Sequence, residues 1–226
     1  MNSLIGDSRV RDLKVGRALH LINDLWCAPG ATYAKLDDQI RNSTILHHGE
    51  DPYDGRHHIY LAAGICNLTT KLRDRSIGYE ELIFDIPNMH RTIATTIDQI
   101  NSLKKITINE NADPIFCSIY PLNIEEWNSN RLSQGKTKFL SHAENYKCMQ
   151  KELNKAVAIV NDHIFKSNRE SHFSTPQLDK QLLHNRNKQN KTFKFNLLSD
   201  GCHPNRKLKE KLAKSLAVAI NKNRQK

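Results

Sequence analysis

Short apolar runs alternate with longer stretches of helical periodicity along this chain, and that alternation predicts an α/β layer fold. Five runs read as strands: 3–6, 24–28, 58–63 (HIYLAA), 114–120 (PIFCSIY) and 193–198. Each is short and is closed at or just beyond its end by Gly, Pro or Asp. Between them, residues 10–23, 33–41 and 144–166 carry apolar positions at helical spacing. Residues 79–103 read as mainly helical, or as a helix that begins only after a loop at Pro87-Asn88. A last amphipathic helix at 208–221 has its stripe at Leu208, Leu212, Leu216, Val218 and Ile220. Residues 123–138 are polar and irregular, and 167–190 are polar with room for one short helix. The order predicts a three-layer sandwich, flavodoxin-like: a mainly parallel five-stranded sheet with helices on both faces. In such sheets the chemistry gathers beyond the carboxyl ends of the strands. Here those ends are Gly6-Asp7-Ser8, Ala28-Pro29-Gly30, residues 64–67 and the segment after Leu198.

With 226 residues, 38% hydrophobic and 26% charged, the composition is that of a folded chain and excludes wholesale disorder. One domain over 1–226 is expected. No apolar run approaches the roughly 18 to 20 residues of a spanning helix. The first residues, MNSLIGDSRVRD, lack the layout of a secretory signal. Cys27, Cys66, Cys117, Cys148 and Cys202 are odd in number, widely spaced and never C-x-x-C, which argues against a disulfide framework and a zinc site. A reducing intracellular compartment, cytoplasmic or nuclear, fits this usage.

The net charge of +10 is unevenly placed. From Lys180 onward there are 13 Lys and Arg against Asp200 and Glu210, whereas the first 179 residues hold 21 bases and 22 acids. The excess therefore sits in the last fifth, where it permits a contact with nucleic acid or another polyanion. A solvated helix face produces the same pattern.

Two segments carry candidate chemistry. Ser8 directly follows an apolar strand and precedes a helix, where free amides favour developing negative charge; a serine there also serves as a helix cap. Asp200 and His203 share a short turn, SDGCHPN, in which the carboxylate can orient the imidazole as a general base; a turn cap and a surface histidine make the same sequence.

Together these segments resemble the SGNH hydrolase superfamily, also called GDSL-like lipases, acylhydrolases and esterases. The GDS block is Gly6-Asp7-Ser8, and the D-x-x-H block is Asp200-Gly201-Cys202-His203. The resemblance implies an SGNH fold from Leu4 to about Asn221 and a serine hydrolase that cleaves an O-acyl ester through Ser8, His203 and Asp200. PGATYAKLDDQ is similar to the second block, which gives Gly30, with the Ser8 amide, a role in the oxyanion hole. The third block usually reads G-x-N-D, and here the corresponding residues are Gly64-Ile65-Cys66-Asn67. Aligned without a gap, Cys66 takes the place of the oxyanion-hole asparagine; a one-residue shift gives that place to Asn67. Losing such a donor typically costs about 2.7 to 4 kcal/mol of transition-state stabilisation. The resemblance implies no cofactor and no metal, and a small ester or acylated polymer as substrate. The alternative is a catalytically weak or inactive module of this fold that contacts nucleic acid through the basic C-terminal segment. Esterase-like domains of this superfamily also occur in mobile genetic elements, a setting that the basic chain suits.

Other features carry less. His47, His48, His57 and His58 lie close in sequence with Glu50, Asp51 and Asp54, but no helical i, i+4 pair supports a metal site, and a solvated loop is the better reading. Trp26 and Trp127 read as packing residues. Cys202, beside His203, is an alternative nucleophile. The long polar segments 123–141 and 167–191 favour a hydrophilic substrate over a long-chain lipid.

Overall fold

A computed structural model describes residues 1–11, 13, 20–42, 57–109, 112–183 and 193–225. Strands β1 (Asn2–Asp7), β2 (Asp24–Ala28), β3 (His57–Ala62) and β6 (Ala112–Phe116) form one parallel sheet in the order β2-β1-β3-β6. The remaining two strands, β4 (Thr70–Asp74) and β5 (Tyr79–Ile83), make a separate antiparallel hairpin.

Alternation along the parallel strands sorts their side chains into two cores. Ile5, Ile59, Leu61 and Phe116 face one layer, built from α1 (Tyr33–Asn42), α3 (Met89–Asn109) and α5 (Tyr146–Glu170). These helices bring Leu36 and Ile40, Ile100 and Leu103, and Leu153, Val157, Val160 and Ile164. Leu4, Tyr60 and Ile115 face the opposite layer, where α6 (Arg206–Asn223) contributes Leu208, Leu212, Leu216 and Ile220. The i, i+4 spacing of that stripe turns one helix side toward the sheet, and each buried Leu or Ile stabilises the fold by about 1.5 to 3 kcal/mol relative to exposure. The α/β reading, with a mainly parallel sheet and helices on both faces, is thus borne out.

The expected strand at 193–198 does not join this sheet. Phe193 makes an isolated bridge to Leu183, Phe195–Leu197 is a 3-10 turn, and Leu198 bridges Pro204. Consecutive Leu197 and Leu198 both enter the same core, which a period-two strand does not allow. Four strands therefore make the parallel sheet among the described residues.

The predicted run 114–120 is strand only to Phe116; Cys117 N still donates to Leu61 O at 2.8 Å and Ser118 N to Pro176 O at 3.0 Å, while α5 supplies partners to Phe116 and Ile119. Asn168 receives from Phe116 N at 3.1 Å and donates to Phe116 O at 2.7 Å. Asn161 does the same for Ile119, at 2.7 and 2.8 Å. The outer edge of β6 is thereby met at Phe116 by a side-chain amide, which satisfies both backbone groups of that residue.

Two further expectations change. Residues 79–83 are strand rather than helix, while the helix begins at Met89, after Pro87-Asn88, as the loop alternative has it. The irregular segment expected from 123 contains α4 (Ile124–Ser133), capped by Asn123 Oδ1 accepting from Glu126 N at 3.2 Å. The amide of Asn128 on α4 pairs with Leu82 N and O, both at 2.8 Å, and Arg131 bonds Glu80, so the hairpin fixes α4 in place. The helix expected at 10–23 lies largely outside the described residues, of which Ser8–Val10 form a 3-10 turn. Among the described residues no helix is long and apolar enough to cross a membrane.

Candidate active site

At the end of β1 the chain must turn sharply beside β3. A Cβ on Gly6 would lie 2.4 Å from Ala62 O and 2.6 Å from Val10 Cγ2, so no larger residue fits there without displacing backbone. Asp7 caps the turn, with Oδ1 accepting from Arg9 N at 2.9 Å. The Arg9 guanidinium returns to that carboxylate at 3.0 to 3.2 Å, donates to Tyr120 O at 2.8 Å, and stacks over the Tyr120 ring. Both charges are buried, with side chains 4% and 1% exposed. This pair clamps the residues on either side of Ser8.

The partner turn comes from the far end of the sequence. Asp200 Oδ1 accepts from Cys202 N at 3.0 Å and His203 N at 2.7 Å, while Oδ2 lies 2.7 Å from His203 Nδ1. His203 Nε2 lies 3.0 Å from Ser8 Oγ, across 195 positions of sequence. An ionised Asp200 fixes the Nδ1–H tautomer and leaves Nε2 to accept the serine proton. Gly201 seats the turn: its φ is +78°, and a Cβ would come 2.5 Å from Trp127 N on α4. Its carbonyl accepts from Asn123 N at 2.7 Å. A substituted residue at 201 would meet both steric and backbone strain.

Burial raises the Asp200 carboxyl, but its hydrogen bonds from the His203 ring, His203 N and Cys202 N outweigh that and hold it at about 2. Because the folded value lies below the ordinary one, the stabilisation from this turn is complete above about pH 4 and is lost as pH falls toward 2. The melting-temperature gap between the native chain and Asp200→Asn is therefore expected to be widest above pH 4 and to close as the pH falls to 2. A gap constant from pH 6 to 2.5 would contradict the assignment.

The other expected site residues are distributed unevenly. Gly30 follows β2, whose Ala28 is paired in register with Asp7, so it stands beside the Ser8 turn; its missing side chain leaves open space, with no atom within 4 Å of a built Cβ. Cys66 lies on the short α2 (Ile65–Leu68) after β3, half-buried. Burial raises its thiol, and the nearby Asp7 carboxylate raises it further. Asn67 is not turned to Ser8. Its Oδ1 accepts from Tyr33 N at 3.1 Å and its Nδ2 donates to Gln99, so the amide is committed to fastening α2 to α1 and α3. These two bonds speak against the shifted alignment that made Asn67 an oxyanion donor and leave Cys66 as the candidate side chain of this block.

Sequence reasoning missed Arg9, Tyr120 and the Trp127 seat, because a buried ion pair and a backbone contact leave no spacing motif. Burial pushes the Cys202 thiol up to about 12, which speaks against the cysteine alternative, since a nucleophilic cysteine needs a lowered value. His57 bonds Ser3 Oγ at 2.8 Å, and His58 lies 3.5 Å from Asp113 with its ring against Phe173. His47, His48, Glu50, Asp51 and Asp54 lie outside the described residues. Trp26 and Trp127 pack against the core of the α1–α3–α5 layer.

No family sequence model matches the chain, and no curated protein matches it. Solved structures do. A GDSL-like lipase from Bacteroides thetaiotaomicron VPI-5482 is similar over 98% of this chain and 87% of its own, at 12% identity and TM-score 0.62. A member of the lipolytic protein G-D-S-L family from Veillonella parvula DSM 2008 covers 97% of both chains at 11% identity, TM-score 0.56. The acetyl xylan esterase AlAXEase matches over 97% of this chain and all of its own at 14% identity, TM-score 0.53. The fold of this chain is the SGNH hydrolase fold, as the GDS and D-x-x-H blocks imply.

Proposed function

We propose that this chain is a serine hydrolase of O-acyl esters. The observation that carries the reading is the continuous hydrogen-bonded line Ser8 Oγ, His203 Nε2, His203 Nδ1 and Asp200 Oδ2, at 3.0 and 2.7 Å. His203 takes the Ser8 proton as Oγ attacks the acyl carbon, and Asp200 stabilises the imidazolium. As the tetrahedral intermediate collapses, His203 returns that proton to the leaving alcohol oxygen. Water, deprotonated by His203, then releases the carboxylic acid and frees Ser8. The backbone N–H groups of Ser8 and Gly30 are the oxyanion donors.

The site is open: the side chains of His203 and Asp200 are 42% and 37% exposed. That openness favours a small acyl group on a hydrophilic alcohol, such as a sugar or an acylated polymer, over a long-chain lipid. The five free thiols favour a reducing, intracellular setting.

A fluorophosphonate probe tests the assignment directly. One covalent adduct on the peptide containing Ser8, absent in Ser8→Ala and retained in Ser171→Ala, is expected by mass spectrometry; labelling elsewhere, or none, overturns it. The missing third oxyanion donor gives a gain-of-function expectation. Cys66→Asn should raise kcat on p-nitrophenyl acetate tenfold or more, within a ceiling of about 100 to 1,000-fold for one added donor. An unchanged rate would remove Cys66 from the oxyanion site.

A further inference from the structure

On the α6 side of the sheet lies a groove of about 830 Å³ that shares no residue with the Ser8, Asp200 and His203 cluster. Lys211, Lys214 and Lys222 line it from α6, and Lys180 and Lys194 line it from the segments packed alongside. Among the described residues no carboxylate and no aromatic ring contributes to its lining. Among the described residues none of the five lysines makes an ion pair.

The walls are fixed to one another. Ser215 Oγ on α6 donates to Gln177 O at 3.2 Å, and the Asn223 side chain accepts from Ser174 N at 2.7 Å and donates to Ser174 O at 3.1 Å. Five like charges held around a prepared concavity repel one another, and an anionic occupant relieves that repulsion. Lys211 to Lys222 span about 16 Å of helix, room for several successive phosphates rather than one small anion. Lysines on both walls suit a single strand passing between them, since a duplex would meet one wall only. Among the described residues of the lining there is no stacking ring and no guanidinium fork, so the lysines recognise backbone charge.

We infer that this groove binds single-stranded nucleic acid through its phosphodiester backbone, without sequence preference. It is a second site, separate from the ester chemistry, and it stands whether or not Ser8 is a nucleophile.

Fluorescence anisotropy with fluorescein-labelled dT20 tests this on the full chain. If all five lysines engage, the log–log salt slope is about −3.5, so affinity falls about 100-fold between 50 and 200 mM salt. The triple variant Lys180→Gln, Lys211→Gln, Lys214→Gln should flatten the slope by about 2 units. Lys35→Gln with Lys105→Gln and Lys155→Gln, remote in sequence from the groove, should leave it unchanged. A dA20 probe should bind like dT20, and a 20-base-pair duplex at least tenfold more weakly. Matching thermal melts show that the variants fold; should the triple variant melt early, Lys214→Gln alone, at an exposed helix position, should remove about 0.7 of slope. Equal binding by the groove variant and the native chain, equal loss in the remote variant, tighter binding of the duplex, or binding of inorganic polyphosphate but not of dT20 would each overturn the inference.

Discussion

Ser8→Ala and His203→Ala should each lower the rate of p-nitrophenyl acetate hydrolysis by about 10⁴-fold or more, and the double variant should lose little beyond either single change. The reason is the shared proton. Without Ser8 the imidazole has no nucleophile to activate; without His203 the hydroxyl, 3.0 Å away, keeps its proton at neutral pH. Groups that act as one unit give non-additive losses, so the double variant separates a cooperating pair from two independent contributors. Ser171→Ala, at the end of α5, should retain the native rate. A Ser8→Ala rate within tenfold of native, or fully additive losses, would sink the mechanism.

The second large effect concerns stability. Asp7→Ala leaves the Arg9 guanidinium buried beside the Ser8 turn with its carboxylate gone, and such uncompensated charges cost about 3 to 5 kcal/mol. For a chain of this size the melting temperature should fall by roughly 6 to 20 °C. The Tyr120 carbonyl still accepts from Arg9, but a neutral acceptor does not replace the lost charge. Removing both charges with Asp7→Ala and Arg9→Met should restore part of the loss, because the desolvated guanidinium is then absent. Thermal unfolding of the three variants measures this. A double variant less stable than Asp7→Ala would show that Arg9 stabilises the turn through its packing on Tyr120 rather than through its charge.

The sheet was legible in the sequence wherever strands are buried on both faces. Leu4-Ile5 in β1 and Ile59 to Ala62 in β3 are short apolar stretches, and β2 is followed by Pro29-Gly30, so pattern and punctuation agree. The hairpin was not legible because β4, TKLRD, is mostly exposed and carries no apolar period, and because YEELI of β5 is as acceptable to a helix as to a strand. Capping at Asn123 was a readable signal for α4, but the polar face of that helix hid it. In the site, Ser8 and the Asp200–His203 turn could be found because each lies in a short contiguous block beside a strand end. The distinction between Cys66 and Asn67 could not, since it depends on Gln99 of α3, thirty-two residues away, accepting the Asn67 amide. Likewise Gly201 looks like any turn glycine until Trp127 N is placed against it.

The outer edge of β6 ends on a side-chain amide rather than on another strand. A parallel sheet that stops at a bare edge is a template for another chain's strand, and growth of that kind ends in aggregates. Asn168 presents to Phe116 the donor and acceptor that one residue of a neighbouring strand would present. A single amide side chain thus acts as a terminator of the sheet, and α5 carries it on the same face that packs the core. The last residue of β6 is thus occupied by this chain's own side chain, and a strand from another molecule would have to displace Asn168 to pair there.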